Sequence, residues 1–530
     1  MLKGKGYYMS VEQNIVSAID TIFSHCRIED EDKVILVTIA EEAQKLSSSS
    51  KQTLVEHLLN NTLPNDNVVP MYFFLYDCFK DIRFLERVVD YLPSRLSLQM
   101  FYEVYLNISN RLFSSAVKSK KISTAIRSWY TDTSETLTRF LSSRGLTPNA
   151  YPLAHPKKIA ILSQQLLNMR HSPTREAYSL ALHLKTYHGC QCYVINTNAM
   201  SFNGVNSLGL IQPILFRSNE QLDGVQTIPV KYLQFNTSLN VVSFPTGPMT
   251  TQKVANIVDT LHQLGIEAVI SHGDNLVVME ALYQTMPSLF ATTGAVVPNN
   301  HCDAYFIPGH LLNDSAKDIA QHYGHDNFMM ESMLVTPEGI AEQPASREDY
   351  GLLPEHFVYL IVGTRLQYEL NREFVEVCKT LLCSDGHTSI IFAGTPELEL
   401  SSFFDEQFIT ENRVQNIGFQ NDLPAVSQMC NCYLNPQRTG GGTSSQTAII
   451  NGLPVVTRDE GHISAIVPEQ RRHASWDEYI AYAVELRENR DFLESECEMF
   501  KHHFFSHLDA KGQVKRIYDM LCTITDDAHR

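Results

Sequence analysis

The sequence predicts an α/β protein, with two doubly wound parallel-sheet domains preceded by an all-α domain. Three observations carry this expectation. Residues 1–150 hold helical periodicity and almost no strand alternation. From Ile159 onward, short apolar runs alternate with helical segments, the texture of a parallel sheet covered on both faces. A stretch rich in Glu, Pro and Gly, Leu334–Pro354, then divides that alternation in two and reads as a hinge.

In the first domain, Val11, Ile15, Ala18, Ile19 and Ile22 fall on one helical face. Amphipathic segments follow at Val34–Leu46, Gln52–Leu59, Met71–Tyr91, Leu98–Leu112 and Ile122–Leu141, with loops at Ser47–Ser50 and Leu63-Pro64. No fixed period recurs, so an irregular helical domain is expected over 1–150 rather than a solenoid. The proline-containing stretch Leu146–Lys158 (LTPNAYPLAHPKK) is a linker.

A second domain, 151–345, is expected on strands Ile159–Leu162, Cys192–Ile195, Val241–Phe244, Ala268–Ser271 and Leu289–Thr292, with helices at Thr174–Thr186 and Val254–Leu264. A third, 346–505, is expected on strands Phe357–Val362, Ser389–Ala393, Val414–Ile417, Cys432–Leu434 and Pro454–Thr457, with a helix at Leu370–Cys383. Trp476–Leu508 and Gly512–Leu521 are amphipathic helices, and 506–530 forms a C-terminal helical segment.

Composition excludes several classes of function. The chain has 530 residues, 42 Lys+Arg against 59 Asp+Glu, and a net charge of -17. A nonspecific nucleic-acid binder needs a basic face, so none is expected. No apolar run approaches the length of a membrane span. The amino terminus, MLKGKGYYMS, lacks the apolar core of a secretory signal. The 11 cysteines are scattered. The pairs Cys190/Cys192 and Cys430/Cys432 have no partner at a zinc-module spacing, so free buried thiols in a reduced cytoplasmic setting are expected.

The chemistry concentrates in Tyr433–Val456, YLNPQRTGGGTSSQTAIINGLPVV. A short strand breaks at Asn435-Pro436, and Gly440, Gly441 and Gly442 follow. A helix with Thr443, Ser444 and Ser445 in its first turn then runs to Asn451-Gly452, and a second apolar strand begins. Free N–H groups and the positive end of the helix dipole converge there, where a phosphate can sit. Ligands of open α/β sheets bind at strand carboxyl ends. In the third domain that rule selects Gly363-Thr364-Arg365, Gly394-Thr395-Pro396, Gly418-Phe419, Asn435–Ser445 and Arg458–His462. In the second it selects Ser163–Arg175, Thr246–Gln252, Ser271–Asn275 and Thr292–Asn300.

The succession VGTR (362–365), IFAGTP (391–396), NIGFQNDL (416–423), YLNPQRTGGGTSS (433–445) and NGLPVVTRDEGH (451–462) resembles the GT-B glycosyltransferases over roughly residues 155–510. Within that superfamily the layout is similar to the bacterial adhesin-modifying N-glycosyltransferases, relatives of O-GlcNAc transferase, which also carry an all-α domain ahead of two facing Rossmann-like domains. The resemblance implies a UDP-hexose or UDP-HexNAc donor, a protein acceptor, and no cofactor beyond the donor substrate. One departure stands out. Where retaining GT-B enzymes carry a glutamate pair across the loop and helix, this chain has Thr439 and Thr447. A threonine cannot accept two hydrogen bonds from a ribose diol as a carboxylate does, which points toward an inverting enzyme or a silent scaffold.

Gly440, Gly441, Gly442, Thr443, Ser444 and Ser445 are thus expected on the donor diphosphate, with Thr364, Arg365 and Arg438 beside it. Phe419 is expected near the base, and Thr447 at the ribose position. An inverting transfer needs a general base. His272, in VISHGDN after a buried strand, is one candidate, with Asp274 as its rival or its orienting partner. His171, in NMRHSPTR, is the second, and His462 in DEGH lies where it would approach the sugar. No D-x-D motif ends a strand and Glu29–Asp32 reads as a solvated cap, so metal-dependent donor binding is not expected. The alternatives left open are a catalytically silent GT-B scaffold that binds proteins or assists secretion, and a sugar-nucleotide epimerase.

Overall fold

The computed structural model describes residues 11–24, 30–61, 67–93, 96–115, 119–145, 155–169, 171–199, 224–273, 275–293, 298–308, 328–331, 336–438, 440–508 and 510–527. It divides into two compact units. One comprises Met1–Gly145 with Ala199–Arg217 and Thr246–Asn256, and the other Leu146–Asn198, Ser218–Pro245 and Ile257–Arg530.

The first unit is helical, with helices Val11–Ser24, Asp30–Lys45, Ser48–Asn61, Val68–Phe79, Ile82–Tyr91, Leu98–Ser115 and Lys120–Ser143. The stretch Met71–Tyr91, continuous by periodicity, is two helices. Lys80 takes a left-handed backbone (φ 55°) and ends the first, while the Asp81 carboxylate accepts the Arg83 N–H and caps the second. Its core is aromatic. Tyr72, Phe73, Phe74, Phe84, Phe101, Tyr102 and Tyr130 are buried, and the buried Arg111 guanidinium pairs with Asp77 at 2.8 Å while lying over the Phe73 ring.

The second unit holds two sheets. The first contains β1 (Lys158–Ser163), β2 (Gln191–Asn196), β3 (Val225–Tyr232), β4 (Phe235–Ser243), β5 (Ala268–Gly273), β6 (Ser288–Thr292), β7 (Ala304–Pro308) and β8 (Phe328–Glu331), in the order β3-β4-β2-β1-β5-β6-β7-β8. All its pairings are parallel except the β3–β4 hairpin, which turns on Leu233 and Gln234. The second sheet, wholly parallel, contains β9 (Phe357–Val362), β10 (Thr388–Ala393), β11 (Val414–Gly418), β12 (Cys432–Leu434), β13 (Val455–Arg458) and β14 (Arg472–His473), in the order β11-β10-β9-β12-β13-β14.

In each sheet the chain starts at the centre, runs to one side, then returns to the other. The reversal lies between β1 and β5 in the first sheet and between β9 and β12 in the second. Crevices at such switch points, outside the strand carboxyl ends, are where this architecture binds ligands. The central strands are buried on both faces, which is why they read as uninterrupted apolar runs.

The chain closes on itself at the carboxyl end. Helix Arg490–His507 packs Phe500 and Phe504 under the second sheet. Helix Ala510–Asp527 then returns to the first, placing Val514, Ile517, Tyr518, Leu521 and Ile524 in the core with Leu180 and Leu184. Cysteines are free and mostly buried among the described residues, in keeping with a packing role. No helix among those residues is long and apolar enough to cross a membrane.

Candidate functional site

β12 ends at Leu434, beside the switch point, and Asn435 is buried and tied to the neighbouring strand β13. Its N–H donates to the Val456 carbonyl, and its Nδ2 donates to Thr457 Oγ1 at 3.0 Å. The chain then turns through the loop to Gly441, whose left-handed backbone (φ 91°) starts helix Gly442–Ile450. The first intrahelical bond is from Ser445 N–H to the Gly441 carbonyl. The N–H groups of Gly442, Thr443 and Ser444 therefore belong to the open end of the helix, the positive pole of its dipole.

Beneath this loop lies a buried ion cluster. Arg438 donates through Nε to Asn435 Oδ1 at 2.9 Å, through Nη1 to Glu369 Oε2 at 2.8 Å, and through Nη2 to the Tyr433 hydroxyl at 2.9 Å. Its guanidinium is wedged between two glycines. A β-carbon at Gly441 would stand 2.6 Å from Arg438 Nη2, and one at Gly363 would stand 2.6 Å from Nη1. Arg438 is thus a strut that shapes the loop, with its bonds to Asn435, Glu369 and Tyr433 all internal.

Arg365 occupies the outer position. Its Nη2 is 2.9 Å from Glu369 Oε1, and it lies 3.0 Å from where a β-carbon on Gly440 would stand. Burial pushes the Glu369 carboxyl up, but Arg438 and Arg365 outweigh it and hold the group below its ordinary range. Two cations against one anion leave the rim of the loop net positive. Arg365 is the partly exposed cation of the cluster.

A second helix N-terminus meets the first. Helix Ser172–His188 follows β1, and Ser172 Oγ lies 2.5 Å from Thr443 Oγ1. Ser172 also donates to Glu176 Oε1 at 2.8 Å. Each hydroxyl has one proton, so the chain runs from Thr443 to Ser172 to Glu176. Two helix dipoles present their positive poles to one spot.

Behind that spot lies His272, in β5. It is 1% exposed and so enclosed. Its Nε2 is 3.7 Å from Glu176 Oε2. Burial pushes His272 down to about 4 and Glu176 up to about 8, so at neutral pH both are uncharged. His171 caps the helix entrance, with Nδ1 2.8 Å from Thr174 Oγ1. Burial, then the Arg175 charge, pushes it down to about 4. His171 is partly exposed at the helix mouth, where His272 is enclosed.

Thr447 is already engaged. Its hydroxyl donates to the Thr443 carbonyl at 3.0 Å and accepts the Glu338 N–H at 3.0 Å. The inter-sheet segment is laid along this helix at successive turns. Thr336 N–H donates to Gln446 Oε1, Ala341 N–H donates to Asn451 Oδ1, and Asn451 Nδ2 donates to the Gly339 carbonyl. Arg175, on the other helix, donates to the Thr336 carbonyl at 3.0 Å. Position 447 thus carries the linker.

Thr364 is exposed beside Arg365, and Phe419 is 48% exposed at the carboxyl end of β11, with β10 and β9 between it and β12. Thr439 and Asp274 lie outside the described residues, as does the His462 side chain. Glu369, Glu176 and Ser172 were not singled out from the sequence. Glu369 had a legible signal, the spacing of four from Arg365 on one helical turn; Glu176 had none.

No protein-family model matches the chain, and no curated protein matches it. Among solved structures, a mutant of the O-GlcNAc transferase of Thermobaculum terrenum is similar with a TM-score of 0.54 at 14% identity, covering 97% of this chain and 99% of that one. Anabaena HepE, solved with UDP and glucose, gives a TM-score of 0.46 at 14% identity, covering 69% of this chain and 99% of that one. The chain has the GT-B fold, with a helical domain preceding two Rossmann-like domains.

Proposed function

We propose that this chain is a UDP-sugar-dependent glycosyltransferase that moves a hexose or HexNAc to a protein side chain in the cytoplasm without a metal at the donor. One observation carries the reading: two helix N-termini and the Arg365 guanidinium converge beside the Gly440–Ser445 loop at a sheet switch point. The fold shared with a solved O-GlcNAc transferase supports it.

In this reading the donor diphosphate takes hydrogen bonds from the N–H groups of Gly442, Thr443 and Ser444. Arg365 offsets the charge that develops as UDP leaves. With Thr439 and Thr447 in place of carboxylates, the displacement is direct and inverting. His171, neutral and partly exposed at the mouth of the facing helix, takes the acceptor's proton. The Glu176–His272 pair lies behind it and supports the Ser172 end of the cleft. The protein acceptor follows from the resemblance to the adhesin-modifying group and from the lack of a basic, lipid-facing patch in the sequence.

Titration of the full chain with UDP, by calorimetry, tests this. Saturable binding is expected, weakened about tenfold or more in Arg365→Ala and in Gly441→Ala, the latter because a β-carbon collides with Arg438. No heat at millimolar UDP would sink the reading. A second reading, a silent scaffold, is favoured by the engagement of Thr447 with the linker. UDP binding without sugar transfer or donor hydrolysis would support it, and UDP-GlcNAc epimerised without any acceptor would point to an epimerase.

A further inference from the structure

We propose that Glu355, His356 and His387 bind a late first-row divalent metal ion, best Zn²⁺, at the amino-terminal edge of the second sheet. The site lies at the opposite strand ends from the glycine loop and is independent of the donor reading. The ligating atoms of the three side chains all lie within 4.8 Å of one another.

The sheet itself places the two imidazoles side by side. β9 and β10 are parallel neighbours with Phe357 opposite Thr388, so His356 and His387 each stand one residue before a paired position. The Phe357 N–H donates to the His387 carbonyl at 2.8 Å, which pins both backbones. The rings meet edge to face with centroids 6.0 Å apart. Both histidines are the residues directly before paired strand positions, so the sheet fixes where their backbones lie.

The outer contacts fit as well. His356 Nδ1 lies 2.7 Å from Ser389 Oγ, and the buried ring is held by it. In the tautomer with Nδ1 donating to Ser389, Nε2 is deprotonated, the form that binds metal, and such a second contact is usual for a ligating histidine. Glu355 and His387 are exposed and can rotate. Ligands around tetrahedral zinc stand roughly 3.3 Å apart, given bonds of about 2.0 Å. Torsion of those two side chains closes the remaining distance. Two imidazoles and one carboxylate, with a position left for water, is an established zinc donor set.

The neighbouring arginines keep their charge, but their donors are held on other groups. Arg347 spends its donors on the Met429, Pro354 and His356 carbonyls and on Asn431. Arg487 donates to the Leu381 carbonyl, Ser384 and Thr388, and pairs with Glu488. Asp385 lines the same recess and adds negative charge. A bound ion would staple the chain leaving the linker to the start of β10.

The test uses the full, untagged chain, stripped with a chelator and titrated with Zn²⁺ by calorimetry, with metal content measured after dialysis. One Zn²⁺ per chain and a raised melting temperature are expected. His387→Ala and Glu355→Gln should each weaken binding about tenfold or more, with circular dichroism unchanged. Absence of stoichiometric uptake overturns the proposal. So does tight binding that survives in His387→Ala, or that is lost instead in Cys383→Ser, which removes an exposed thiol nearby in sequence.

Discussion

Glu369 sets what the arginines after β9 and β12 do: it pairs with the buried Arg438 and with Arg365, which keeps one face toward the loop. A single carboxylate thus holds one cation as buried scaffold and the other partly exposed at the loop. Glu176 is the opposite case, a carboxyl with no cation close enough to outweigh burial. The native state holds a proton on it up to about pH 8, while the unfolded chain releases that proton near 4.5. The native chain therefore binds more protons in that window, and stability falls as pH rises through it. His272 acts in reverse between about 4 and 6.5, where the native ring binds fewer protons and stability rises with pH. Between pH 6.5 and 8 only the Glu176 slope remains, a loss of about 2 kcal/mol for one proton. Urea unfolding of Glu176→Gln should show that slope flattened. An identical slope in the variant would refute the assignment.

At the scale of elements, helix Gly442–Ile450 is held at its tip and along its side. Ser172 touches the tip through Thr443, and the linker is bonded to Gln446, Thr447 and Asn451. The tip contact is a single hydroxyl pair, so it lends itself to a double-mutant cycle. Ser172→Ala and Thr443→Val should each cost about 1 kcal/mol, with a coupling of about 1 kcal/mol between them. Additive effects would mean that the two helix ends are not coupled in solution.

At the scale of the molecule, the last helix is part of the first sheet's core. Five apolar side chains from Ala510–Asp527 are buried there. At about 1.5–3 kcal/mol each, their burial is on the order of 10 kcal/mol, which matches the whole stability of a typical domain. A chain stopped at Leu508 should therefore lose the cooperative unfolding of the first sheet, visible as lost near-ultraviolet circular dichroism. An unchanged melting transition would show that the helix only rests on the surface.

The sequence by itself determined the periodic features. Phe357–Val362 and Cys432–Leu434 are strands at the expected bounds, because a strand covered on both faces must be apolar throughout. The glycine loop entering a helix was legible for the same local reason, since positive φ and free N–H groups are properties of a short stretch. What was not legible depends on partners far along the chain. β3, with Pro229 among exposed residues, exists only as the antiparallel partner of β4 at the sheet edge. Arg438 and His272 were both placed at the correct strand ends. Whether each points into the cleft or into the core was decided by Glu369, Gly363 and Glu176, residues brought there by the sheets. Sequence order sets which residues stand at a strand end; packing against distant chain sets which way their side chains turn, and with that their charge and their chemistry.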